Sequence, residues 1–166
     1  MWYLKRGVIL TKDNLIRRNW NGNKLCCFCS SDETIRHLFF DCHVAKFLWR
    51  VVHYTFDLSP PQSITHLFGN WLRSVGTKLK RKLLTGASAL CWAIWLSRND
   101  IVFNRSPSKT YMQVLYRGTH WLRLWALLQS CDEDKEELQE ACRTIEVLVM
   151  QIFANHGWKF SNKICS

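Results

Sequence analysis

Cys26, Cys29, His37 and Cys42 stand at the spacing C-x2-C-x7-H-x4-C and together offer three soft sulfurs and one imidazole. A tight turn brings two thiols separated by two residues onto one ion. A histidine and a third thiol further along close a tetrahedron from the other side. This donor set suits Zn2+ in a closed structural site, because four protein ligands leave no position for a substrate. Such chemistry holds a small surface in shape and drives no reaction. Two neighbours compete for places. Cys27-Phe28-Cys29 leaves only one residue between thiols, so Cys26 with Cys29 is the better pair. His43 competes with Cys42, and the conventional set of three thiolates and one imidazole favours Cys42.

The donors need elements to aim them. Asn21-Gly22-Asn23 is a strong turn signal leading into the Cys26–Cys29 knuckle. Before it, Val8 to Trp20 reads as a short strand or turn and then a helix, with Thr11 or Asp13 as its cap and Arg17 and Arg18 outward. Ser30 with Glu33 three residues on fits a capping box, so a helix is expected from near Asp32, carrying His37 and aiming Leu38 at the core. Five residues of uninterrupted α-helix turn about 500°, so His37 and Cys42 cannot then face one ion. The helix is expected to loosen near Phe40-Asp41, before a new one runs from about Val44 to Phe56 with Phe47, Leu48, Val51 and Val52 as its apolar stripe. Phe39, Phe40 and Trp49 read as core.

Ser59-Pro60-Pro61 breaks the chain, which places a module at residues 1–57 and a helical extension at 62–166. A segment of about 55 residues is near the size at which a core alone barely supports folding, and a structural metal would decide the matter. In the extension, Ser63 starts a helix through Leu72 that Gly76 ends. Lys78 to Lys82 opens the next, and Leu83, Ala87, Leu90, Ile94 and Trp95 recur at helical spacing up to Asn104. Ser106-Pro107-Ser108 signals another start, followed by Tyr111, Val114, Leu115, Gly118, Trp121, Leu122, Trp125 and Leu128. A last helix is expected from near Ser130 to Gly157. The fold class is therefore mainly α: a small zinc-stapled N-terminal module followed by an antiparallel helical extension.

With 48% apolar residues, nine Trp and nine Phe, the chain is too hydrophobic to be disordered. Its longest nearly uncharged run, Leu83 to Ser97, falls short of the roughly 20 residues a spanning helix needs, so no membrane is expected. Met1 to Leu10 lacks a cleavage signature for a leader peptide. Four cysteines crowd one locus while Cys91, Cys131, Cys142 and Cys165 are scattered, which suits a reducing, intracellular compartment, nuclear or cytoplasmic, better than a disulfide framework.

The formal net charge of +10 lies in the first two thirds of the sequence: residues 107–166 carry seven Lys/Arg and seven Asp/Glu. Residues 1–50 carry nine Lys/Arg and four Asp/Glu, and a Zn2+ held by three thiolates contributes −1, so that segment is closer to +4. Excess positive charge attracts polyanions, above all nucleic acid. Around the knuckle, Arg17, Arg18, Trp20, Lys24 and Phe28 combine cations for phosphate with rings for base stacking, the makings of a single-strand platform. The competing reading has Trp20 and Phe28 covering the metal site. Lys78 to Lys82 could track a phosphate backbone or form a solvated first turn. The Trp92/Trp95 and Trp121/Trp125 pairs read as core. A Cys–His hydrolase built from Cys91 or Cys142 with His120 or His156 is disfavoured, since both thiols fall on apolar stripes.

The run Ile9-Leu10-Thr11-Lys12-Asp13-Asn14-Leu15-Ile16-Arg17-Arg18, the Cys26-x2-Cys29 pair, Glu33 through Cys42, and Ala45 through Trp49 closely resemble the reverse transcriptase zinc-binding domain that lies C-terminal to the polymerase in plant LINE-type (non-LTR) retrotransposons. Cys91 through Asp100 resembles the segment that follows it. The resemblance is strong over residues 2–55 and weaker over 66–130. It implies Cys26, Cys29, His37 and Cys42 as zinc ligands; the expected partner is RNA or single-stranded DNA, or else a reverse transcriptase or other protein. Polymerase activity does not carry over, because no Asp-Asp pair is present to hold two catalytic metal ions. Met1 falls inside the family pattern, which suggests a truncated remnant or a fragment of a longer reading frame. The expectation is a non-catalytic zinc module binding single strands weakly and with little sequence preference; the alternative is a zinc-stabilised domain that docks a protein through its Trp-rich helices.

Overall fold

Apolar residues at three- and four-residue spacing generate seven α-helices among the described residues, which are 1–103 and 110–156 of the computed structural model: α1 (Trp2–Lys5), α2 (Lys12–Ile16), α3 (His43–Phe56), α4 (Ile64–Phe68), α5 (Thr77–Val102), α6 (Tyr111–Ala126) and α7 (Asp132–His156). The described chain is mostly helical and contains no strand beyond one isolated antiparallel bridge between Leu25 and Asp32. The mainly helical class is thus as expected.

The contacts between helices fix their directions. Gly86 faces Leu122 and Gly118 faces Leu90, while Arg117 pairs with Asp100; these pairs run in opposite senses, so α5 and α6 are antiparallel. Lys78 reaches Glu133 and Lys82 reaches Asp134 and Glu137, so α5 and α7 run parallel. Gly118 lets α5 and α6 approach closely, since a β-carbon there would lie 2.8 Å from Leu90 Cδ2. Across this bundle lies α3, with Phe47 against Tyr111 of α6 and Phe153 of α7. Residues from both sides of the Pro60-Pro61 break share one apolar core, from Leu4, Phe28 and Leu38 to Leu90, Val114 and Phe153.

Several local expectations change. Ser63 caps its helix, its Oγ accepting from the His66 N–H at 3.1 Å. That helix stops at Phe68, not Leu72, because Gly69-Asn70 turns the chain; Trp71 instead donates its indole N–H to the Ser59 carbonyl at 2.6 Å. Thr110 and Gln113 form the capping box that opens α6; the Ser106-Pro107-Ser108 signal lies outside the described residues, as do Asn104, Gly157 and Cys165. Lys78 and Lys82 spend their charge on the acidic first turn and Glu137 of α7 and do not form a free phosphate track. The four tryptophans expected in the core are only half-buried. Trp92 and Trp121 meet edge to face and Trp121 touches Trp125; Trp121 and Trp125 pack against a buried cluster that includes Leu138 and Cys142 of α7.

Candidate metal centre

A short loop brings the first two thiols together. Cys26 N–H donates to the Ser31 carbonyl at 2.7 Å and Glu33 N–H to the Lys24 carbonyl at 2.8 Å, closing a small hairpin over residues 24–33. At its tip the Cys29 N–H reaches the Cys26 carbonyl, and the Phe28 N–H points at the Cys26 sulfur at 3.4 Å. An N–H aimed at a sulfur stabilises the thiolate form that a metal requires.

The second pair sits on a widened turn. Residues His37–Asp41 form one turn of π-helix, closed by the Cys42 N–H on the His37 carbonyl at 2.7 Å. The i→i+5 bond accommodates the residue that an α-turn would rotate out of line, and so brings His37 and Cys42 to the same side. This is the loosening that the ligand spacing demanded. The expected capping box is not its origin: Glu33 is turned inward, and Thr34 Oγ1 accepts the His37 N–H at 3.0 Å instead. A π turn also alters carbonyl pairing, and the buried Trp49 indole donates to the Phe39 carbonyl at 2.8 Å.

One donor atom from each of Cys26, Cys29, His37 and Cys42 lies within 4.8 Å of all the others. His37 presents Nε2 to the group, 3.1 Å from the Cys29 sulfur. A tetrahedron with Zn–S bonds of about 2.3 Å has edges of about 3.8 Å, so small side-chain adjustments suffice to seat the ion. Cys26 and Cys42 are buried, and Cys29 and His37 half-buried. Hydrogen bonds from Cys27 and Cys42 hold the Cys26 sulfur far below the usual thiol range; contact with that sulfur, together with burial, pushes Cys27 and Cys42 up. A dication would replace this shared negative charge by drawing all three ligand thiols to thiolates. The residues fit zinc. His43 takes no part in the group: its Nδ1 faces the Tyr111 hydroxyl at 3.0 Å.

Residues 1–49 match the family described as zinc-binding in reverse transcriptase. The matched stretch contains all four donors and ends within α3. No curated protein and no solved structure matches the chain.

The residues expected to meet nucleic acid differ in exposure. Arg17, Arg18 and Lys24 are exposed; Arg17 leans on the Asn14 side-chain oxygen at 3.3 Å and Lys24 pairs with Asp32 at 3.4 Å. Trp20 is 38% exposed. Phe28 is a correction: it is fully buried beneath the knuckle, so it has no face to offer a base and serves as the floor of the metal loop.

Sequence reasoning missed the Glu33–Arg98 pair, which ties the metal loop to α5. Arg98 Nη2 lies 2.7 Å from Glu33 Oε1, its Nε lies 3.2 and 3.3 Å from the two carboxylate oxygens, and both side chains are almost wholly buried. The Lys12 N–H donates to the same carboxylate at 3.0 Å. The available signal was an arginine ending an otherwise apolar run. Burial pushes the Cys91 thiol up to about 12 and the Cys142 thiol up to about 11.

Proposed function

We propose that this chain is a non-catalytic zinc-binding module derived from a retrotransposon polyprotein, and that it binds RNA or single-stranded DNA weakly and with little sequence preference. The observation that carries the reading is the convergence of three sulfurs and an imidazole nitrogen within 4.8 Å, inside the stretch similar to reverse transcriptase zinc-binding regions. When bound, zinc supplies a rigid cross-link between the 24–33 loop and the π turn and no open coordination position. Around that fixed frame, Arg17, Arg18 and the half-open Trp20 ring offer charge and a stacking face. Among the described residues no helix is long and apolar enough to cross a membrane; an intracellular site of action follows from the clustered thiols needing a reducing environment.

The test is fluorescence anisotropy of labelled single strands with the zinc-loaded protein across a salt series. Binding that weakens steeply with salt is expected; no affinity at low salt would remove the reading. A second reading, docking of a protein such as a reverse transcriptase, is favoured by one observation. Leu127 and Leu128 are 57% and 80% exposed, just after the half-buried Trp121 and Trp125 in the chain. Salt-insensitive binding to a protein partner, lost in Leu127→Asp/Leu128→Asp, would support that alternative.

A further inference from the structure

The outer face of α3 carries cationic and aromatic side chains that the knuckle does not use. His43, Lys46, Arg50 and Tyr54 are three or four residues apart, so they stack along one stripe of the helix. With Phe47, Tyr111 and Phe153 they border a hollow of about 360 Å³ whose lining contains no acidic residue. Among the described residues, Lys46 and Arg50 form no ion pair, and both are exposed. This contrasts with Lys78 and Lys82, whose charge is spent on α7. The nearest acid along α7 towards the hollow, Glu146, is taken by Arg123. Tyr54 is 68% exposed, while Tyr111 is held in place by His43 Nδ1 and by ring contact with Phe47 at 5.2 Å. The stripe begins at the residue after Cys42, so the metal centre fixes its near end.

We infer that this face of α3 is a single-strand docking track, with Lys46 and Arg50 meeting phosphates and Tyr54 and Tyr111 presenting rings to a base at the hollow. Unpaired cations beside ring faces, around a hollow whose lining holds no carboxylate, are the chemistry that selects single-stranded nucleic acid; the exposed Asp57 caps the far end of the same helix. Because this rests on the nucleic-acid reading above, the experiment separates the two.

Full-length zinc-loaded protein is titrated against a labelled oligouridylate of about 12 nucleotides, within the usual single-strand site size. The proteins compared are the parent, K46E/R50E, Y54A and R17E/R18E, each checked for zinc content and thermal midpoint. The milder K46Q/R50Q variant replaces the charge reversal if the latter folds poorly. K46E/R50E is expected to weaken binding about tenfold or more, and the charge-neutral pair to lower the slope of log K against log salt by about 1.4, from about 0.7 per lost phosphate contact. Y54A is expected to weaken binding roughly fivefold or more by loss of stacking. Parent-like binding by the α3 variants, with binding abolished in R17E/R18E, would overturn the inference and leave the nucleic-acid reading standing. No binding by the parent protein at low salt would overturn both.

Discussion

Arg98, near the end of α5, grips Glu33 of the metal loop through three contacts between 2.7 and 3.3 Å, with both side chains almost completely removed from water. The guanidinium also lies over the Trp95 ring, 5.1 Å from its centroid, and donates to Asn99 Oδ1 at 3.0 Å. The pair is the electrostatic joint between the zinc-binding region and the helical bundle. Removing one partner strands the other as a buried charge, a loss of about 3–5 kcal/mol. Arg98→Met and Glu33→Gln are each expected to destabilise by that order, and Glu33→Gln also weakens the acceptor of the Lys12 N–H. The double variant should cost less than the sum of the two. Urea denaturation of all four proteins measures this coupling; additive losses would show that the pair does not act as a unit.

Zinc content discriminates between the crowded thiols. One zinc per chain is expected in the parent protein, none retained in His37→Ala/Cys42→Ser, and an unchanged amount in Cys27→Ser. Chelation should lower the thermal midpoint of the parent and leave the double variant unmoved, because binding energy at such a site is folding energy. Metal analysis after dialysis, beside a melting curve, checks each arm. Equal zinc in the parent and the double variant would dismiss the assigned site.

Trp49 supports the π turn from behind, since its indole supplies the hydrogen bond that the Phe39 carbonyl receives. Trp49→Phe keeps much of the apolar volume but leaves that carbonyl unpaired in the core, at a cost of about 1–3 kcal/mol. Because the carbonyl lies between two ligands, the variant is also expected to bind zinc more weakly. Competition with a chromogenic chelator reads this out, and parent-like zinc affinity would restrict Trp49 to a packing role.

The Glu146 carboxyl is held below its usual range, first by hydrogen bonds from the Arg123 guanidinium, with burial opposing and Thr119 assisting. A carboxylate whose folded value is depressed stabilises the fold above its unfolded value, about 4.3. That stabilisation is lost as pH falls through the lower folded value. Glu146→Gln is therefore expected to be less stable than the parent at neutral pH, with the gap closing in acid below that point. Both proteins shed zinc in acid alike, so the difference in urea midpoint between them isolates this residue.

Much was legible in the sequence because it is local. Ligand spacing is a property of a few consecutive residues, and it gave the donor set and the need for a break in helical register, both of which the fold bears out. The helices of the bundle follow from apolar recurrence at three and four, and Ser63 followed from ordinary capping chemistry. Where two local signals conflicted, the stronger tertiary partner won. Ser30 and Glu33 have capping-box spacing, yet Arg98, 65 residues away, claims the carboxylate, and the helix starts later on Thr34.

Sequence alone thus determined a four-residue donor set suited to zinc and a mainly helical chain, since each is set by residue type and short-range periodicity. Only tertiary structure decided which charges are spent and which rings are covered. Phe28 went under the knuckle, Lys78 and Lys82 were paired across to α7, and Lys46 and Arg50 were left open on α3. The physical reason is that burial and ion pairing depend on which helix lies alongside, and that choice is made by packing among residues far apart in the chain.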